Sequence, residues 1–188
     1  MRNVTTLALW LMALALSLVA CGKGDRKVWV PDNYREWEHT INEVLSYPIA
    51  GHGPTYRVIY INKEGTHATE TVRDGRDWYE YPPGTIIVKE VYQDRNAVQA
   101  GTPFQLTVMI KAPEAPEAVD GWVWVVKDTA SGNETVFQST FCIDCHSDAN
   151  ERHRLGWGNP IAEFQDFVFF PYLEYQGARA GKDNEPGE

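Results

Sequence analysis

Five runs of β-branched, aromatic and aliphatic residues lie between residues 55 and 140, and each has the composition and spacing of a strand. They are TYRVIYIN (55–62), TIIVKEVY (85–92), FQLTVMIK (104–111), GWVWVVKD (121–128) and ETVFQST (134–140). The third alternates most cleanly. Phe104, Leu106, Val108 and Ile110 fall on one face, with Gln105, Thr107, Met109 and Lys111 on the other. Turn signals separate the runs, Tyr81-Pro82-Pro83-Gly84 before the second and Ala130-Ser131-Gly132-Asn133 between the last two. Ahead of them the period changes. Tyr34, Trp37, Ile41, Val44 and Leu45 recur at helical spacing behind Asn33 and Glu36, a capping-box pair, which predicts a helix ending near Ser46. Pro48 and AGHGP would stop it, and the polar stretch NKEGTHATETVRDGRD reads as a short helix at most. The expected fold is mainly β (α+β by strict counting): an antiparallel sheet of about five strands, an N-terminal helix, and a helical segment after the last hairpin.

The first twenty residues do not fit that pattern. Met1-Arg2 is a short basic start, and LALWLMALALSLVA is an apolar run of roughly fourteen, where a membrane span needs about 20. Leu18-Val19-Ala20-Cys21 resembles a bacterial lipobox, whose cysteine is acylated after the signal is cut just before it. The other reading is a plain secretory signal that leaves Cys21 as an odd thiol. Residues 1–20 are thus expected to be a lipoprotein signal peptide, 21–30 a tether, 31–173 one domain and 174–188 a disordered tail. The mature protein is expected in the periplasm on a lipid anchor, with Gly22 after the cysteine favouring the outer membrane. A chain of 188 residues suits a single domain, and its 12% aromatic content suits a β fold. A net charge of −9 argues against nucleic acid or an anionic membrane surface as a partner.

In an oxidising compartment Cys142 and Cys145, within FCIDCHSDANERH, need an explanation of their own. Cys-x-x-Cys-His places two sulfurs on one side of a helical turn, where they can form thioethers to the two vinyl groups of a haem. The following His146 then lies under the iron as its axial ligand. A redox dithiol would require a βαβ setting, which the chain lacks. A zinc site could use His153 but has no second ligand pair. A disulfide over so short a loop would be strained. The pattern points to one covalent haem c. For the sixth iron position His39, His52, His67 and Met109 are candidates, none recommended by its spacing, and an open or weakly occupied distal side is expected. Lys89 shares a strand face with Ile87 and Val91, so it is either a snorkelling or edge-strand lysine or one held at a site as a nucleophile; the pattern alone favours the former.

PDNYREW, YRVIYIN, YPPGTIIVKE, GWVWVVKD, FCIDCH and DFVFF, taken together from about Pro31 to Phe170, resemble the cytochrome P-460 and cytochrome c-prime-beta group. The resemblance implies a mainly antiparallel β homodimer with one haem c per chain, thioethers at Cys142 and Cys145, and His146 as axial ligand. It implies a small nitrogen-containing ligand or substrate and a redox partner protein. In the cytochrome P-460 enzymes a lysine is also bonded to the porphyrin and hydroxylamine is oxidised, which makes Lys89 the candidate cross-link. The c-prime-beta relatives lack that bond and bind nitric oxide or carbon monoxide. A gas-binding protein and a simple electron carrier are therefore the alternatives to an oxidoreductase. Glu114 and Glu117 are available as distal acids, without an assignment to either.

Overall fold

The computed structural model describes residues 27–47, 55–151, 163–170 and 172. The signal segment, Cys21, His52, His153 and the tail lie outside the described residues, as does the boundary expected at 173. All five predicted strands form: β2 (Tyr56–Ile61), β5 (Ile86–Tyr92), β6 (Gln105–Lys111), β7 (Trp122–Asp128) and β8 (Glu134–Phe137). With β1 (Glu38–His39) they make a six-stranded antiparallel sheet in the order β1-β2-β5-β6-β7-β8. Alternation sends each strand's side chains to two separate cores. Ile59, Ile61, Ile87, Met109, Trp122 and Trp124 build one, and Val88, Leu106, Val108, Val123 and Val125 the other. Because both faces are covered, WVWVV in β7 reads as a continuous apolar run. Each such side chain fully buried contributes about 1.5–3 kcal/mol.

The N-terminal segment is not the predicted helix. It makes a 3₁₀ turn at Tyr34–Glu36, then β1 pairs with β2, and Leu45 exchanges backbone hydrogen bonds with Arg57. The reason lies in where its apolar residues go. Tyr34 and Trp37 pack on one core, whereas Ile41 and Leu45 pack on the other. The chain therefore crosses the sheet edge, and a single helix face could not serve both sides. Asn33 makes no side-chain capping bond that would have opposed this.

The polar stretch after β2 also differs from expectation. A 3₁₀ turn at Glu64–His67 is followed by a two-stranded hairpin, β3 (Thr69–Arg73) and β4 (Arg76–Glu80). Asp74 and Gly75 turn it with positive φ at both positions, 54° and 77°, as a two-residue hairpin loop requires. Every residue of β3 is exposed, so no apolar alternation marks it. A short helix not anticipated, α1 (Arg95–Ala100), joins β5 to β6; the Asp94 carboxylate accepts from the Ala97 N–H at 2.8 Å to cap it. The last described helix, α2 (Phe141–His146), runs into a 3₁₀ turn at Ser147–Asn150. No helix among the described residues is long and apolar enough to cross a membrane.

Candidate functional site

The segment 163–170 brings the cysteine helix and the sheet together. Phe164 forms a short parallel pairing with β4, donating to the Asp77 carbonyl and accepting from the Tyr79 N–H, and its ring stacks on Trp78 at 3.7 Å. The chain then turns sharply through Asp166 and Phe167, two non-glycine residues with positive φ, 49° and 67°. Two side chains hold that turn. Asn150, just after α2, accepts from the N–H groups of Gln165 (3.1 Å) and Phe167 (2.9 Å). The buried Asp166 carboxylate accepts from the Tyr81 N–H, the Trp122 indole N–H and the Lys111 ammonium at 3.0, 3.0 and 2.7 Å. The Phe167 carbonyl then lies 2.8 Å from Nδ1 of His146.

That contact sets the chemistry of His146. A carbonyl can only accept, so Nδ1 carries the proton and Nε2 carries the lone pair a metal would use. The ring is wedged between aromatic neighbours, Trp124 at 4.8 Å and Phe169 at 5.4 Å. On the same turn of α2, Cys142 and Cys145 are free thiols, both partly buried, and Ile143 packs into the Ile59–Trp124 core. Residues three apart on a helix share a face, so both sulfurs lie on one side, next to the imidazole. Burial pushes both thiols up in pKa, and Lys89 opposes that. This donor set fits a covalently held haem: two thiols on one helical turn, and a histidine whose Nε2 would be the ligating nitrogen.

Lys89 lies in the middle of the sheet, not on an edge. Its strand β5 is hydrogen-bonded on both sides, with Lys89 opposite Ile59 of β2 and Thr107 of β6. This corrects the edge-strand reading, since an interior strand is hydrogen-bonded on both sides; the Lys89 side chain is partly buried there. Ile59 belongs to the core that receives Ile143 of α2 and packs against Cys142, so Lys89 points to the cysteine side. Burial first, and then the Arg57 charge, lower its pKa to about 8; the two cysteines pull the other way, placing all four groups within electrostatic reach.

The remaining sequence candidates separate. Met109 is buried in the Ile59–Trp124 core, while His39 lies tilted against the Tyr60 ring at 4.6 Å, on the opposite face of the sheet from the cysteines. His67 is exposed in the 3₁₀ turn after β2, and Glu114 is exposed in the loop between β6 and β7. Arg57, Trp124, Asn150 and Phe167 were not singled out from sequence. Arg57 had a readable signal, a charge in register with Ile59 and Ile61 along YRVIYI. Asn150 and Phe167 act through backbone groups, which no side-chain pattern announces.

Comparison with known proteins adds one match. The family model described as Cytochrome P460 matches residues 31–170. No curated protein matches the chain.

Proposed function

We propose, because the chain belongs to the cytochrome P460 family, that it is an exported, lipid-anchored, mono-haem c oxidoreductase acting on hydroxylamine or a related small nitrogen compound. The family binds haem; the attachment proposed here is covalent, through thioethers at Cys142 and Cys145, with Nε2 of His146 as axial ligand. A bound haem, held by Cys142, Cys145 and His146, would supply redox chemistry at its iron, with a redox protein as partner. The chain's own residues do the rest. Phe167 fixes the imidazole tautomer, Trp124 and Phe169 fix its plane, and Ile143 helps close the site to water. Lys89 offers a neutral amine close to physiological pH and is the residue that bonds to the porphyrin. Cys21 carries the lipid, and the working unit is a homodimer.

The observation that carries this reading is the 2.8 Å contact from His146 Nδ1 to the Phe167 carbonyl, on the helical turn that holds both cysteines. Intact mass and absorption spectra of the purified protein test it. The wild type should carry one haem, and Cys142→Ala/Cys145→Ala none; a wild type at the bare polypeptide mass would overturn the proposal. Lys89→Ala should keep haem and lose hydroxylamine turnover. If the wild type binds nitric oxide reversibly without turning over hydroxylamine, the gas-binding role replaces the enzymatic one. For the anchor, Cys21→Ser should move the protein from the membrane fraction to the soluble fraction.

A further inference from the structure

Arg57 is a fully buried guanidinium, and none of its charge is balanced by an acid among the described residues. Its Nη2 donates to the Tyr47 carbonyl and its plane lies over the Tyr47 ring at 4.9 Å, but Nε and Nη1 are buried without a hydrogen-bond partner. Register fixes where it points. Arg57 pairs with Val91 and Ile59 pairs with Lys89, so Arg57 and Lys89 are diagonal neighbours on the cysteine side of the sheet. Around them the side chains are apolar: Leu45, Ile59 and Val91 are all buried.

A buried cation with two idle donors, next to a second amine, is costly unless an anion joins it. Burial lowers the Arg57 pKa, yet a guanidinium keeps its proton under all ordinary conditions, so the site cannot resolve the problem by neutralising itself. The Nε–H and the Nη2–H on the same side of the guanidinium form the flat two-donor fork that matches a pair of oxygens on one atom, and Nη2 has a second hydrogen with which to serve the Tyr47 carbonyl. We infer that Arg57 anchors an anion subsite beside the haem position, built for a planar group with two oxygens sharing one negative charge. Two sources have that chemistry: the carboxylate of a haem propionate and free nitrite. The inference rests on the haem reading above, and it goes beyond it by assigning a residue and a ligand class.

The test uses haem-bearing wild type, Arg57→Gln and Arg57→Lys, each checked for haem by intact mass. Nitrite is titrated against the ferric absorption spectrum, and the propionate bending band is followed by resonance Raman. If the anion is free nitrite, Arg57→Gln should weaken nitrite binding ten-fold or more with the propionate band unmoved. If it is the propionate, the band should shift and nitrite affinity stay within two-fold. Arg57→Lys keeps the charge but loses the fork, so it should fall between the other two; it carries the same test if Arg57→Gln does not accumulate. A haem-bearing variant with wild-type nitrite affinity and a wild-type propionate band would overturn the subsite. A wild type without haem overturns the earlier reading instead, by mass alone.

Discussion

Asp166 and Phe167 sit in a backbone region that costs a non-glycine residue about 1–3 kcal/mol each, so their neighbours must hold them there. Asp166 does so with three donors on one buried carboxylate. In Asp166→Asn the amide presents a donor where only donors converge, and Lys111 loses its counter-charge. Breaking such a buried pair costs about 3 kcal/mol, which a shift in urea midpoint at constant slope would register. The same change should loosen the Phe167 carbonyl and shift the iron–histidine stretch in the reduced protein. A stability loss with that band unmoved would confine Asp166 to a structural role. For Lys89 the prediction concerns pH. Only the neutral amine is nucleophilic, and Arg57, Cys142 and Cys145 are the charged or titratable groups that act on it. Below its pKa of about 8 the neutral fraction rises ten-fold per unit, and above it the fraction is nearly constant. Bonding the amine to the porphyrin breaks one N–H and one C–H bond and releases two protons and two electrons, so hydrogen peroxide is added as the two-electron oxidant and leaves as water. The rate of bond formation in haem-bearing, unbonded protein should climb with pH and then level off, the thioether sulfurs no longer acting to hold the amine's pKa up. A rate flat between pH 6 and 8 would show that this amine is not the attacking group.

Elements were legible where one residue type answered to one local rule. The five main strands announce themselves because each alternates between two apolar cores, and α2 because Cys-x-x-Cys-His needs a helical turn. The N-terminal helix misled for the opposite reason: its spacing was helical, but its side chains are divided between the two faces of the sheet. The β3–β4 hairpin was hidden by its exposure, although Asp74-Gly75 was a turn signal that could have been weighted above hydrophobicity. The site was half legible. Cysteines, histidine and lysine carry chemistry in their side chains, whereas the carbonyl of Phe167 does not appear in any motif. Gly65 shows how an element depends on a residue with no chemistry at all. A Cβ there would meet Ile61 Cγ1 at 2.5 Å and Thr85 Cγ2 at 2.8 Å, both in fully buried side chains. Gly65→Ala should therefore push the 3₁₀ turn off β2 and β5 and lower stability by about 1–3 kcal/mol, measured by chemical denaturation. A variant as stable as the wild type would mean that Ile61 can rotate away without loss.

Across the whole molecule the sheet acts as a partition, and the neighbours Lys89 and Glu90 show it most sharply. Lys89 faces the cysteines, while Glu90 turns to the other side and is fully buried. There its carboxylate accepts from the Tyr34 hydroxyl (2.8 Å), the Arg35 Nε–H (2.7 Å) and the hydroxyls of Tyr60 and Tyr92. Burial and the carboxylate push all three phenols up, Tyr60 to about 12, so each stays protonated and donating at physiological pH. This cluster ties the N-terminal segment to the centre of the sheet, and Arg35, about half exposed, adds little through its charge. Glu90→Gln replaces one acceptor oxygen by a donor facing these groups and should cost about 2–3 kcal/mol. Its visible spectrum should match the wild type, because no group in the cluster reaches the cysteine side. Lys89→Ala should do the reverse, changing the spectrum with little loss of stability, since it removes a partly buried cation that desolvation itself disfavours. Thermal melts and spectra of the two variants, side by side, measure the partition. A haem spectrum altered by Glu90→Gln would mean that the two faces communicate through β5, and that the cluster belongs to the site.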